Sequence, residues 1–149
     1  MNEENRYIER IHFALQVMFQ QMQPEMLESM NAQGVTPTQL FVLNSLRKQG
    51  SCKISELAQK MEVKPSAVTF MIDRLEQYKY VMREHDKKDR RVVNISLTNE
   101  GQEKVKKVLE DRKKIVAQYL SHLTTDELSF LANIAEKLAQ PITVKNNLT

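Results

Sequence analysis

The spacing of apolar residues changes at Tyr80, and this change constrains the fold more than any other feature. Before Tyr80, apolar residues recur every three or four positions, as they do along one face of a helix. Residues 80–84 and 91–97 instead alternate partly between apolar and polar side chains, which predicts two strands of an antiparallel hairpin. Helical spacing returns from Thr98. Because so small a hairpin is not stable alone, the sequence predicts a mainly α fold whose helices pack behind one β-hairpin.

Start and stop signals locate the helices that precede the hairpin. Residues 5–22 carry one apolar stripe, and Pro24 is expected to kink or end that helix before a second short helical piece. Thr36 can cap the next helix, because Pro37 suits the first helical position and Gln39 can complete a capping box. Further helices are predicted at 36–50, 54–61 and 65–78, with a short extended stretch at 51–53 and a tight turn at 62–64.

Two more helices are expected after the hairpin, where the apolar stripe resumes. The first begins at Thr98 and runs to about residue 122, with a charged, solvated opposite face. The second begins at a capping box of Thr124 and Glu127 and ends near Pro141. The last eight residues are expected to be loose, because chain termini are often poorly ordered.

The positive charge of the chain is concentrated in its middle third. Residues 36–97 carry 12 basic and 7 acidic residues, whereas residues 1–35 carry 2 and 5. The densest basic stretch is residues 87–91, which makes it a candidate surface for contacting phosphates. A solvated loop without a partner is the alternative interpretation of this charge.

Composition argues against several classes of function. The 3 glycines lie far apart and cannot form a phosphate-binding loop. His12, His85 and His122 fall on different elements, so we expect no metal site and no cofactor. Because no paired histidine and nucleophile stand at a recognisable spacing, we do not expect an enzyme.

Other features indicate where the protein works. The longest apolar run is only four residues, at 40–43, so no membrane span is expected. A single cysteine excludes an internal disulfide and fits a reducing compartment. The first four residues are polar and acidic, unlike a secretory signal. We therefore expect a cytoplasmic protein.

The order helix, tight turn, helix, basic hairpin is typical of a helix-turn-helix protein. In such proteins the second helix enters the major groove of DNA, and here that helix is 65–78. Ser66 and Thr69 can bond to bases or phosphates, while Ala67 and Phe70 can touch a thymine methyl. Together with Asp73, the residues expected to face outward are Ser66, Ala67, Thr69, Phe70 and Arg74. An ordinary packed pair of helices is the alternative.

Arg74 and the hairpin loop complete the predicted DNA-binding residues. Arg74 is expected to meet a phosphate or to brace the hairpin. The loop offers four cations to a minor groove, which favours inserted arginine. Asp89 would repel phosphate if it were unpaired, so we predict that it braces Arg91 through a charge-assisted pair. The loop cations are Lys87, Lys88, Arg90 and Arg91.

Several segments together resemble the MarR family of winged-helix transcription regulators. Residues 34–39 resemble the entry to the second helix of that family, and the wing motif at 86–91 is the most specific piece. The resemblance covers about residues 8–140 in order. The other segments that carry it are 54–58, 63–69, 73–76 and 97–101.

The resemblance implies a fold, an assembly and a mechanism. It implies a winged helix-turn-helix domain at 36–97, with residues 1–35 and 98–149 as a helical dimerisation region. It further implies a homodimer on palindromic double-stranded DNA, with release controlled by a ligand or by a redox change. We expect a repressor that a small-molecule effector releases. The wing residues of the family carry over to Asp89 and Arg91. Contacts of the recognition helix carry over to Ser66, Ala67, Thr69 and Phe70.

One position departs from the family pattern. The family usually has glycine after the recognition helix, where this chain has Lys79. Lysine in a left-handed conformation costs roughly 1 kcal/mol. Either the turn differs locally, or packing by Tyr78 and Tyr80 offsets the strain.

The sequence leaves the controlling signal open. Cys52 could be a reactive thiolate or a small buried hydrophobe. Methionines at four-residue spacing could line a pocket for an apolar or aromatic effector, or could form a dimer core. These are Met18, Met22, Met26 and Met30. The alternative function is a winged-helix module that binds protein rather than DNA, and the salt dependence of binding distinguishes the two.

Overall fold

The computed structural model describes residues 2–140 and is mainly helical, with one small antiparallel sheet. The predicted fold class is confirmed. The expectation for the last eight residues lies outside the described part of the chain. In order, the elements are α1 Glu3–Ala32, α2 Pro37–Gln49, β1 Ser51–Lys53, α3 Ile54–Met61, α4 Pro65–Gln77, β2 Val81–His85, β3 Val93–Leu97, α5 Asn99–Tyr119 and α6 Thr125–Leu138.

Helix α1 is one continuous helix of 30 residues that runs through Pro24. Of the two predicted effects of Pro24, a kink or an end, the end before a second short helical piece is therefore wrong. Proline removes one backbone hydrogen bond, but the apolar spacing continues across it in the same phase. Met22 and Met26 are half-buried and Met30 is buried, so one face stays covered on both sides of Pro24.

The predicted helix caps are confirmed. The Thr36 hydroxyl accepts from the Gln39 backbone N–H at 3.2 Å, and the Gln39 side chain accepts from Thr36 N–H at 3.0 Å. Thr124 and Glu127 form the same reciprocal pair at the start of α6. Each box satisfies donors that a helix start otherwise leaves without a partner.

The sheet has three strands in the order β1-β3-β2, so β3 is central. The predicted hairpin pairs β2 with β3, and the extended stretch at 51–53 becomes β1 on the other side of β3. Ile95 of β3 lies opposite Cys52 of β1 and Arg83 of β2. The third strand and the helices supply the support that a lone hairpin lacks.

The hydrophobic core joins α2, α3, α4 and the start of α5 to the inner face of the sheet. It holds α4 and the hairpin in a common frame, because both contribute fully buried side chains. Its largest fully buried members are Leu43, Leu46, Leu57, Ile72, Leu75 and Ile95.

The described residues fall into two compact units, which divide between Ile115 and Val116. In the first, α1 exposes large apolar side chains along its amino-terminal half. In the second, α6 exposes five large apolar residues: Leu128, Phe130, Leu131, Ile134 and Leu138. Across residues 2–140, no helix has both the length and the hydropathy to cross a bilayer.

Candidate nucleic-acid interface

A tight turn joins α3 to α4, as predicted. Glu62 adopts a left-handed conformation with φ 54°. The N–H of Val63 donates to the Ala58 carbonyl at 3.1 Å and that of Glu62 to the Gln59 carbonyl at 3.2 Å. These bonds end α3, and Pro65 then occupies the first position of α4, where its missing N–H costs nothing.

Helix α4 divides into a buried face and an outward face. Val68, Ile72 and Leu75 are buried, as predicted, and Met71 is half-buried. The helix is thus anchored along one side. All six residues predicted to face outward are exposed: Ser66, Ala67, Thr69, Phe70, Asp73 and Arg74.

The outward face presents both polar and apolar groups. The Thr69 hydroxyl donates to the Pro65 carbonyl at 3.0 Å, so its oxygen remains oriented as an acceptor. Phe70 is 65% exposed. The guanidinium carbon of Arg74 lies 5.7 Å from the centroid of the Phe70 ring, a cation–π contact.

Arg83, and not Arg74, braces the hairpin against α4. From β2, Arg83 Nη1 donates to Glu76 Oε2 at 2.5 Å, and Nη2 donates to Asp73 Oδ1. Sequence reasoning missed this residue. The pattern in the sequence that could have revealed it is a pair of acidic residues three positions apart on α4, followed by an arginine in the next strand.

Asp86 organises the loop between the two hairpin strands, residues 86–92. Its carboxylate accepts backbone N–H bonds from Lys88 at 2.8 Å and Asp89 at 3.1 Å, and a third bond from the Asn94 side chain. These bonds, first that from Lys88, favour the charged form and lower the pKa of the Asp86 carboxyl. The Asp86 N–H also donates to the Val92 carbonyl, which closes the loop. No separate role was predicted for this aspartate from the sequence.

The predicted pairing of Asp89 with Arg91 is confirmed. Arg91 Nε lies 3.2 Å from Asp89 Oδ1, while the Arg91 side chain is 92% exposed. The pair therefore restrains the guanidinium on one side and leaves the rest of it in solvent. The other loop cations, Lys87, Lys88 and Arg90, are exposed as well.

Lys79 adopts the left-handed conformation, with φ 60°. Its N–H donates to the Glu76 carbonyl and that of Tyr80 to the Leu75 carbonyl, each at 2.9 Å. This is the Schellman pattern that glycine usually completes, so the turn keeps its ordinary geometry. The Tyr78 and Tyr80 rings stand 5.8 Å apart, and the Thr98 hydroxyl donates to the Lys79 carbonyl. The turn therefore does not differ locally, and contacts from neighbouring residues are the explanation that remains for a lysine at this position.

Cys52 is a buried side chain of β1 and is 4% exposed. Burial raises the pKa of its thiol, and the nearby Glu56 carboxylate raises it further. These properties favour the inert, core interpretation over a reactive thiolate. Across residues 2–140, no three His, Cys, Asp or Glu side chains come together as a metal site.

A helix-turn-helix followed by a two-stranded basic wing defines a winged-helix protein, the class of many transcription regulators. Residues 35–93 match the MarR family model. The "HTH-type transcriptional repressor MdtR" of Bacillus subtilis (strain 168) is 56% identical over 140 residues, which cover 94% of this chain and 90% of that protein. The chain belongs to the MarR family. A family of transcription regulators fits the expectation that the chain is not an enzyme.

Solved structures agree with the fold. The YusO protein from Bacillus subtilis, whose X-ray crystal structure is known, is 56% identical in sequence to this chain. The two structures match with a TM-score of 0.82 over 93% of this chain and 99% of that one. A MepR-like protein complexed with pseudoligands is 43% identical, with a TM-score of 0.58, over 89% and 93% of the two chains.

Proposed function

We propose that this protein is a transcriptional repressor that binds palindromic operator DNA as a homodimer and is released by a small-molecule effector. The observation that carries the proposal is the combination of an exposed face on α4 with a braced basic wing. Because α4 and the wing pack on the same core, both can contact a single DNA duplex. The similarity to a protein named as a transcriptional repressor supports the direction of regulation.

Helix α4 reads the major groove. Ser66 and Thr69, near its start, bond to base edges or phosphates. Ala67 and Phe70 contact thymine methyl groups, for which the 65% exposure of Phe70 leaves ample surface. Arg74, one turn beyond Phe70, meets a phosphate.

The wing loop enters the adjacent minor groove. Arg91 is inserted, and Asp89 holds the guanidinium in the orientation that insertion needs. Lys87, Lys88 and Arg90 neutralise phosphates on either side. Their contribution is independent of sequence and falls as salt rises.

Residues 1–35 and 98–149 form the dimerisation region. Their helices expose large apolar side chains, including Phe13 and Phe19 of α1 and Phe130 of α6. Burying such side chains is favourable by about 1.5–3 kcal/mol each, which makes them suited to a subunit interface. The dimer sets the two recognition helices about 34 Å apart, one turn of DNA.

An apolar or aromatic effector controls release by favouring a different spacing of the recognition helices. A similar protein that was crystallised with pseudoligands supports control by small molecules. Within α1, Met30 is buried and Met18, Met22 and Met26 are half-buried. These methionines remain candidates for an effector pocket or for the dimer core.

Selection of bound sequences from random duplex DNA tests the proposal. We expect an inverted repeat with half-sites about one helical turn apart. Recovery of no enriched sequence, with binding to a protein partner that salt barely affects, would favour the protein-interaction alternative. Screening small molecules for release of the selected duplex then tests the effector.

A further inference from the structure

Arg83 joins the wing to the recognition helix through two carboxylates. We propose that Arg83 is a positioning residue for DNA binding, one that orients the wing relative to α4 without touching DNA. The inference rests on the proposed function and adds to it a residue outside the DNA-contacting set. It starts from the two ion pairs of Arg83, with Asp73 and with Glu76.

The geometry allows Arg83 to hold both carboxylates at once, and we call this pair of ion pairs the Arg83 clamp. Asp73 and Glu76 stand three positions apart on α4, so both carboxylates lie on one side of the helix. The planar guanidinium presents several donors in a fixed fork and reaches both. The Arg83 side chain is 28% exposed, less than either carboxylate, so these pairs are better shielded from solvent than that of Arg91.

The clamp lies beyond the part of β2 that the core holds, because Val81 is buried and the residues that follow it in β2 are exposed or half-buried. Within the described residues, β2 is at an edge of the sheet and pairs with β3 alone. A three-residue turn, 78–80, joins α4 to β2 and contains the left-handed Lys79. Arg83 is the middle residue of β2 and lies closer to the wing loop than that turn does. Ion pairs at this position restrain the tilt of the whole hairpin relative to α4, and therefore also restrain the position of Arg91.

Charge neutralisation is the alternative role for the same contacts, and it makes the opposite prediction. Asp73 and Glu76 are negative groups on the helix proposed to face DNA, and Arg83 could act only by neutralising them. If so, removing both negative charges would leave binding unchanged or improve it. If Arg83 acts by positioning, the same change releases the hairpin and weakens binding, although it removes two charges that repel phosphates.

The deciding experiment measures affinity for the selected operator duplex across a range of salt concentrations. The variants are Arg83→Ala, the isosteric double variant Asp73→Asn with Glu76→Gln, and all three changes combined. Arg47→Ala is the control, because Arg47 is exposed on α2 and bonds to Asn44 within its own helix. Circular dichroism and thermal unfolding check that each variant is folded.

We expect Arg83→Ala and the double variant each to weaken binding by about tenfold, and the triple variant to bind no more weakly than Arg83→Ala. The slope of log affinity on log salt should stay unchanged in the double variant, since loss of a phosphate contact would alter it by about 0.9. Operator affinity of the double variant equal to or above that of the wild type overturns the inference. If Arg83→Ala fails to fold, the isosteric variant still decides the question. Absence of operator binding by the wild type is a different result and refutes the proposed function itself.

Discussion

Asp89 Oδ1 accepts two hydrogen bonds from Arg91, one from its backbone nitrogen at 3.0 Å and one from Nε at 3.2 Å. One carboxylate oxygen therefore holds both the backbone and the side chain of the same arginine. The Arg91 side chain is nevertheless 92% exposed, so most of it stays accessible to solvent. Such a braced, exposed arginine is suited to a narrow, electronegative groove.

Arg91→Ala should weaken operator binding by about 1–3 kcal/mol, or roughly 5- to 150-fold, because it removes the group proposed to enter the minor groove. The measurement is a binding isotherm at fixed salt. Arg47→Ala removes an equal charge from an exposed position on α2, outside the proposed dimerisation region, and serves as the control. Operator affinity that stays at the wild-type value would remove Arg91 from the interface.

Asp89→Ala should also weaken operator binding, although it removes a negative charge from a surface that meets phosphate. The physical reason is that Arg91 loses both hydrogen bonds that orient it. Asp89→Asn keeps the shape and one acceptor, so its defect should be smaller. A gain in affinity for Asp89→Ala would mean that charge outweighs orientation at this site.

Gly101→Ala should destabilise the fold by about 1–3 kcal/mol or more. A Cβ at position 101 would lie 1.9 Å from the Tyr80 carbonyl oxygen, a backbone atom that cannot simply rotate away. Urea unfolding measures the loss, with Gln102→Ala on the exposed face of α5 as the control. Equal midpoints for Gly101→Ala and the wild type would show that this close approach is not required.

Lys79→Gly should raise the free energy of unfolding by about 1 kcal/mol, because glycine adopts a φ of 60° without the Cβ clash of lysine. Lys79→Ala keeps a Cβ, so it should not raise the free energy of unfolding by a comparable amount. Thermal unfolding of the two variants side by side tests the point. A Lys79→Gly protein no more stable than Lys79→Ala would mean that the tyrosine and threonine contacts remove the strain entirely.

The sequence predicted best what depends on near neighbours in the chain. Capping boxes such as that of Thr36 and Gln39 involve residues three apart, so a pattern of residue types suffices to find them. The outward face of α4 follows from helical periodicity and was predicted residue by residue. The Asp89–Arg91 pair spans two residues and could be inferred from charge chemistry.

The features that sequence reasoning missed depend on tertiary context. The Arg83 clamp spans ten residues to Asp73 and needs the strand and the helix to be placed first. The pairing of β1 with β3 joins segments more than forty residues apart, so periodicity cannot reveal it. Pro24 was judged by its local effect on a helix, whereas burial of the same face on both sides of it outweighs that effect.

The central claim is that two protomers bind one duplex through α4 and the wing, and sedimentation of the protein with the selected operator tests it most directly. We expect a complex of two protomers on one duplex, with an affinity that falls steeply as salt is raised. A protein that remains a monomer in dilute solution and binds no duplex even at low ionic strength would contradict it.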